Sequence, residues 1–345
     1  MVNRFPVTPR TTITDVALLA GVSKATVSKY LSATDYYVSE KTREKIESAI
    51  KELNYYPNAL AQGLSSRRSY AIGVVVASIT NPFYPELVAG VEEVIDPAGY
   101  TLLLGTSAEN SDKEADVVRT MIQRRVDGAI VASATMRDGS VQKLVNAGIN
   151  VIVASRELAR PLVDTVVIDN RLGGRMAAEH LRGHGFGRAV FLSGPLDVLA
   201  FRQRFEGFRS VYREADSAVH LARTSELAEA TEAAFGLLRD LPRPSAVFAA
   251  NDTLALGLMT AAHTLGLRIP EDIALIGFDD IWVGRIPGVS LTTVDSRARQ
   301  VGAVAAGMLA ERIGRHPGES RNARKPPERH VLAPQLIVRG SCGCS

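Results

Sequence analysis

The chain has 345 residues, of which 46% are hydrophobic and 22% charged, with a formal net charge of +3. Those figures fit a soluble globular protein of two or three domains and exclude a membrane-embedded chain, since no apolar run reaches the roughly 18 residues of a span. Two cysteines, Cys342 and Cys344, exclude a disulfide framework and fit the cytoplasm.

The charge is unevenly placed. Residues 1–69 hold ten Lys/Arg and six Asp/Glu, a net of +4, and the remainder nets −1. A basic head on a neutral body suits a polyanionic partner engaged at one end.

Residues 1–11 lack the apolar core of a signal peptide and read as a disordered arm. Thr12 to Leu31, TITDVALLAGVSKATVSKYL, reads as two short helices joined by a tight turn. Thr12 caps the first, whose apolar face is Val16, Ala17 and Ala20. Gly21 makes the turn and Ser23 caps the second helix. Val27 and Leu31 turn inward, which leaves Lys24, Ala25, Thr26, Ser28 and Lys29 outside. This is the polar, basic, small-residue face that a helix-turn-helix lays in a DNA major groove. After a polar turn, Ser39 caps a third helix, SEKTREKIESAIKELNYY, with Ile46, Ile50 and Leu53 on one face. Pro57 ends it. Asn58 to Leu64 is a short hinge, helical only with support, because it is brief and carries Gly63. SSRRS at 65–69 is a basic linker.

From Tyr70 the pattern changes. Strand-length apolar runs alternate with helical stretches: AIGVVVAS, TLLLGT, GAIVAS, NVIVAS and TVVID, then AVFLSG, AVFAA and IALIGF. They read as buried strands of parallel sheets covered on both faces. VVIDN near 169 and LTTVD near 295 read as crossovers between two lobes, and HVLA and LIVRG as extended stretches that finish the second lobe. The expected plan is an arm at 1–11, a helix-turn-helix domain at 12–56, and a hinge and linker at 57–69. A first lobe of 70–168 plus 297–328, a second of 169–296 plus 329–340, and a tail at 341–345 complete it.

No GxGxxG, GxxxxGK[ST], nucleophile elbow or His-rich metal motif is present, so neither an enzyme nor a cofactor is expected. Asp279 and Asp280 are adjacent and, on an extended segment, point to opposite faces. His180 and His184 read as a helix surface pair. The Cys-x-Cys tail offers two ligands where a structural zinc site needs four, so no metal is expected.

The motifs DVALLAGVSKATVSKYL, VSEKTREKI, LNYYPNALAQGL, ITNPFY, DNRLGG, FAANDTLALG and ALIGFDD occur in this order over about Thr12 to Arg339. Together they resemble the lactose/galactose repressor family of bacterial transcription regulators. The resemblance implies a three-helix head, a hinge helix and a two-lobed α/β body like a periplasmic binding protein. It also implies a cytoplasmic homodimer that binds double-stranded, near-palindromic operator DNA, held on the nucleoid by it, and a small-molecule effector in the cleft between the lobes. For the head, Lys24, Ala25 and Lys29 are implied to reach base edges, with Thr12, Ser23, Thr26 and Ser28 at phosphates or in packing. Family members usually carry Arg at Lys29 and often a larger polar residue at Ala25. Lysine makes no rigid bidentate pair with guanine and alanine offers only a methyl, so base preference does not transfer. For the hinge, the implied set is Asn58, Ala61 and Leu64, with Leu64 as the minor-groove wedge.

For the cleft, the implied residues are Asn81, Phe83, Tyr84, Ser155, Arg156, Arg204, Asn251 and Asp279. Their chemistry suits it: rings stack on a sugar face, and Arg, Asn and Asp satisfy hydroxyls in planar pairs. Ser155 stands where the family often has Asp, and Ser296 near a usual Gln. Both departures push the cleft positive beside Arg156 and Arg204. A neutral sugar or polyol, a sugar acid or phosphate, and a purine or other metabolite all remain open as effector. Arg202 reads as a surface residue. The leucine-rich C-terminal helix of tetrameric relatives is absent, so a dimer is expected. The alternative reading is a transport-type solute-binding protein, against which the basic head and missing leader argue.

Overall fold

In the computed structural model, which describes residues 11–31, 37–56, 68–133, 139–224, 226–314 and 326–344, the N-terminal helices are α1 (Ile13–Ala20), α2 (Lys24–Leu31) and α3 (Glu40–Glu52). Thr12 caps α1 through a reciprocal pair: its hydroxyl accepts from the Asp15 backbone N–H, and the Asp15 carboxylate accepts from the Thr12 backbone N–H at 2.8 Å. Gly21 ends the helix at φ +65°, a left-handed turn that a side chain would strain. The Ser23 hydroxyl accepts from Thr26 N–H at 3.0 Å and so caps α2. Ser39 stands at the α3 cap position, but its hydroxyl bonds the Thr42 hydroxyl at 2.8 Å and makes no cap hydrogen bond. Val16, Ala17, Ala20, Val27, Ile46, Ala49 and Tyr55 form the small core, with Ile50 and Leu53 half-buried against it. Tyr30 Oη donates to Glu47 at 2.6 Å and ties α2 to α3.

Met1–Ser69 and Tyr70–Ser345 are separate compact units. The second holds two six-stranded sheets. The first is built from β1 (Ala71–Val76), β2 (Thr101–Thr106), β3 (Gly128–Val131), β4 (Asn150–Ala154), β5 (Asp164–Ile168) and β11 (Arg329–Leu332), in the order β11-β5-β4-β3-β1-β2, all parallel. The second comprises β6 (Ala189–Ser193), β7 (Ser217–Leu221), β8 (Ser245–Ala249), β9 (Ile273–Phe278), β10 (Thr292–Asp295) and β12 (Gln335–Ile337). Its order is β12-β10-β9-β8-β6-β7, parallel except for β12 against β10.

Helices α4 (Phe83–Ile95), α5 (Ser111–Arg124), α6 (Gly139–Asn146) and α11 (Ala298–Gly314) pack on the first sheet. Around the second lie α7 (Asn170–Gly183), α8 (Leu199–Arg209), α9 (Leu227–Asp240) and α10 (Asp252–Thr264). In each lobe one helix pair meets through glycines. A Cβ at Gly90 would overlap the Arg299 carbonyl oxygen and one at Gly302 that of Leu87. In the second lobe Gly174 stands against the Arg204 oxygen and Gly207 against that of Arg171. Each lobe has its own core, and Ile281 of the second joins the apolar cluster of the first beside Phe83 and Tyr84.

Two sequence expectations do not hold, and one strand carried no signal. HVLA does not finish the second lobe: His330 to Leu332 pair in parallel with Val166 to Ile168, so β11 edges the first sheet and the chain crosses a third time after Leu332. A four-residue apolar stretch carries no mark of which sheet edge it will join. TLLLGT is not a buried strand. It lies at an edge, partly open to solvent, with Leu104 45% exposed. Finally β7, SAVHL, escaped the pattern because an exposed edge strand needs no apolar run.

Candidate functional site

On the N-terminal unit, Ser23, Lys24, Ala25, Ser28 and Lys29 are exposed along one side of α2, while Thr26 is half-buried and shares a 2.8 Å hydrogen bond with the Ser23 hydroxyl. Thr12 is exposed, with its hydroxyl donated to Asp15 at 2.7 Å. Burying Val27 in the three-helix core is what turns Lys24 and Lys29 outward. The hinge residues Asn58, Ala61 and Leu64 lie outside the described residues.

In the body the segments after β2, β3, β4, β6 and β7 line one cleft at the carboxyl ends of both sheets, where open α/β sheets bind ligands, and residues after β1, β8 and β9 contact Arg156 or Arg204. Several of their non-glycine residues have positive φ: Glu109 (57°), Ser155 (66°) and Asp279 (120°). Backbone held in that region is strained and marks functional loops. The cleft encloses about 480 Å³, bounded by Ser107, Glu109, Ser133 and Arg156 of the first lobe and Asp197 and Arg223 of the second. That volume suits a small ligand.

Of the two buried arginines, Arg156 of the first lobe lines this cleft, while Arg204 of the second is not among its lining residues but lies near enough to feel the charge of Arg156. Arg156 donates to Glu109 at 2.8 Å, to the Tyr84 hydroxyl at 3.2 Å and to the Ser133 carbonyl at 3.2 Å. Arg204 donates to Asn170 at 2.8 Å and to the Ala250 carbonyl at 2.5 Å, lies 3.6 Å from the Asp279 carboxylate, and stacks 3.6 Å over the Phe278 ring. Phe83 and Tyr84 meet edge to face at 5.0 Å. Tyr84 senses the charges of Arg156, Glu109 and Asp279, so groups of both lobes share one electrostatic environment.

Asn81 and Asn251 have local duties. Asn81 accepts from Phe83 N–H at 3.0 Å, and Asn251 caps α10 through Leu254 N–H at 2.8 Å. Ser155 is half-buried with its N–H on the Val166 carbonyl at 2.8 Å. Arg202 is exposed and bonds the Leu196 carbonyl.

Burial pushes the Asp279 carboxyl up to about 6 against the opposing pull of Arg204, and burial holds the Arg204 guanidinium below its ordinary value. Asp279 Oδ1 is buried with no hydrogen-bond partner among the described residues. The unfolded carboxyl titrates near 4, so the native state binds the extra proton between about pH 4 and pH 6. Its share of stability is therefore present below pH 4 and lost as pH rises through 6, about 3 kcal/mol in all. Asp279→Asn removes that loss: its melting temperature relative to wild type is expected to rise from pH 4.5 to pH 7. A difference that stays flat over this window contradicts the assignment.

The shift toward positive charge expected from Ser155 and Ser296 is not what the cleft shows. Each arginine has a carboxylate, Glu109 or Asp279, and the lining holds Glu109, Asp112, Glu114 and Asp197 against Lys143, Arg156 and Arg223. Glu109 escaped the sequence reading because nothing in its spacing points at Arg156. Asp279 and Asp280 do diverge, but through a positive-φ turn and not an extended segment: Asp280 pairs with Arg285 at 2.9 Å and Arg339 at 2.5 Å. Asp252 is fully buried, accepting from Ile281 N–H and the Thr293 hydroxyl. Between the lobes, Ser78 and Thr80 each donate to Glu226 at 3.0 Å. Among the described residues one histidine–cysteine group gathers, His180 with Cys342 and Cys344. No helix among them is long and apolar enough to cross a membrane.

Residues 12–58 match the model of the bacterial regulatory proteins of the lacI family, and residues 69–334 that of the periplasmic binding proteins and sugar-binding domain of the LacI family. The chain is 35% identical to the ribose operon repressor of Halalkalibacterium halodurans, over 95% of this chain and 96% of that protein. It is 35% identical to the transcriptional repressor PurR of Vibrio vulnificus, over 95% and 97%. Among solved structures it is similar to the lac repressor dimer bound to operator and the anti-inducer ONPF, with TM-score 0.82, 26% identity and coverage of 96% and 99%. These matches span head and body alike, and the chain therefore belongs to the LacI family of bacterial regulatory proteins: a DNA-binding transcriptional regulator with an effector-binding body, not an enzyme.

Proposed function

We propose that this regulator is a cytoplasmic homodimeric repressor, held on the nucleoid by a near-palindromic operator and released or retained according to a neutral, polyhydroxylated effector in the cleft. The observation that carries the effector class is the charge pairing in the cleft lining and in the buried layer beside it. Arg156 with Glu109 and Arg204 with Asp279 present paired donors and acceptors with little net charge. Such pairs bind vicinal hydroxyls, whereas a phosphate or carboxylate would have to displace a resident carboxylate. A ligand hydroxyl would also satisfy Asp279 Oδ1, whose burial unpaired costs about 1–3 kcal/mol. A structure of a LacI-family regulator from Enterococcus faecalis with bound ribose, 30% identical with TM-score 0.70, supports this class. The reading as a transport-type solute-binding protein gives way to the match of the head to a regulatory model.

In this reading Lys24 and Lys29 meet base edges or phosphates, with Thr12, Ser23, Thr26 and Ser28 flanking them and Ala25 offering a methyl. The cleft residues bias two arrangements of the lobes, and the effector acts by its differential affinity for them. Binding to duplex DNA is expected to weaken steeply with salt, as phosphate contacts release counterions. Lys24→Ala and Lys29→Ala are each expected to lower the slope of log K against log salt by about 1 per head if the lysine meets phosphate. Fluorescence anisotropy with a labelled duplex measures it. Wild-type binding insensitive to salt, or affinity and slope both unchanged in both variants, contradicts the assignment of this face.

A further inference from the structure

By spacing alone the Cys-x-Cys pair supplies two ligands where a structural zinc site needs four. The fold gathers His180 with both sulfurs and sets His184 against Cys344. His180 Nε2 lies 3.4 Å from Cys342 Sγ and 3.2 Å from Cys344 Sγ, and the two sulfurs are 2.8 Å apart. His184 Nε2 lies 3.0 Å from Cys344 Sγ, and the two imidazole centroids are 4.6 Å apart.

Local structure explains the convergence. His180 and His184 are one helical turn apart at the end of α7, so their rings share a face. The cysteines flank Gly343, whose φ of +85° turns the chain enough to set both sulfurs on one side. The turn Gly340–Cys342 is pinned from below. The Ser341 hydroxyl donates to the Leu275 carbonyl at 2.7 Å and accepts from Thr292 N–H at 2.8 Å. Cys342 is buried, and the Thr292 hydroxyl donates to its sulfur at 3.1 Å. A hydrogen bond to a ligating sulfur from outside the ligand set is what orients ligands in metal sites.

We propose that His180, His184, Cys342 and Cys344 form a closed, four-coordinate zinc site that fastens the C-terminal turn to the end of α7. Two sulfurs and two imidazole nitrogens are the donor set of tetrahedral zinc. Oxygen-seeking magnesium and calcium have no ligand here. On binding, the two thiols release their protons to solvent, and two thiolates with two neutral imidazoles balance the 2+ ion. All four positions belong to the protein, which leaves none for a substrate, so the role is structural. With zinc–sulfur bonds near 2.3 Å and zinc–nitrogen bonds near 2.0 Å, ligand atoms in a tetrahedron stand about 3.3–3.8 Å apart. The His180–Cys342 separation already fits, the two sulfurs and the His184–Cys344 pair must open slightly, and His184, outside the trio whose ligand atoms all lie within 4.8 Å of one another, must turn inward to complete the tetrahedron. The opposite end of α7 carries Asn170, which holds Arg204 beside the cleft. The site therefore braces the helix on which that arginine depends, over about 20 Å.

The test uses the reduced full-length protein, stripped with a chelator and titrated with cobalt(II) and then zinc(II). One equivalent of cobalt per chain is expected to bind with the intense visible bands of a tetrahedral ion and a thiolate-to-cobalt charge-transfer band, both abolished when zinc displaces it. Cys344→Ser and His184→Ala, at the less buried ligands, are each expected to weaken zinc binding about tenfold or more. Zinc is expected to raise the melting temperature of wild type and not of these variants. Absence of the tetrahedral cobalt spectrum in reduced wild type overturns the proposal whatever the variants do. Zinc binding of unchanged affinity and stoichiometry in both variants overturns it too.

Discussion

Asp279→Ala is expected to weaken effector binding about 10- to 100-fold and to leave DNA binding without effector unchanged. The carboxylate is buried, its Oδ1 has no hydrogen-bond partner among the described residues, and Arg204 is 3.6 Å away, longer than a good ion-pair hydrogen bond. A group held in this way gains most when a ligand hydroxyl arrives, and that gain is what the alanine removes. Arg204→Ala is a harsher change. It strands the Asn170 side-chain oxygen, the Ala250 carbonyl and Asp279 together, and breaking such a buried pair costs about 3–5 kcal/mol of stability. Its loss of response would be mixed with loss of fold; Asp279→Ala breaks the same pair but leaves Arg204 bonded to Asn170 and the Ala250 carbonyl, so it is the milder probe. Ligand titration monitored by DNA release reads the effect. A variant that responds at the wild-type effector concentration contradicts the placement of Asp279 in the site.

The largest effect on stability is expected at the helix-crossing glycines. Gly302→Ala, in α11, forces a Cβ into the Leu87 carbonyl of α4, and Gly174→Ala, in α7, forces one into the Arg204 carbonyl of α8. The obstacle in each case is backbone, which cannot rotate away as a side chain can. Overpacking against backbone is expected to cost about 3 kcal/mol or more. Gly307 of the same helix as Gly302 has no atom within 4 Å of its ideal Cβ, so Gly307→Ala is expected to stabilise by about 0.5–1 kcal/mol. Urea melts of the three variants separate the contributions. Equal stabilities for Gly302→Ala and Gly307→Ala would show that the crossing yields more than its geometry allows. Gly174→Ala also displaces the backbone of Arg204, so weakened effector binding is expected to accompany its instability.

What was legible in the sequence follows a physical division. Helix caps and turns are local, so Thr12, Gly21 and Ser23 were readable from their neighbours. Buried central strands such as GVVV and ALIGF were readable because both faces are covered. Edge strands were less so: SAVHL carried no signal, and HVLA, read as extended, was given to the wrong lobe, because an edge strand needs only one neighbour and long-range pairing decides which. The cleft residues came from resemblance: of them Arg156 lines the cavity, Tyr84 bonds Arg156, and Arg204 and Asp279 pair with each other outside the lining. Their partners were hidden, because Glu109 reaches Arg156 across 47 positions and Glu226 reaches Ser78 across 148. The inferred positive cleft failed for the same reason, since counting arginines without locating their carboxylates misses the neutralisation. His180 lies 162 positions from Cys342, so the helical His-x-x-x-His and the terminal Cys-x-Cys were each visible and their meeting was not.

The most direct test of the account incubates the full-length protein with sheared genomic DNA from its source, recovers bound fragments and sequences them, with and without candidate neutral sugars. The account predicts enrichment of one or a few near-palindromic sites. It also predicts that one such sugar changes their recovery in wild type and not in Asp279→Ala. Recovery no different from bulk DNA under every condition would contradict a ligand-gated operator-binding regulator.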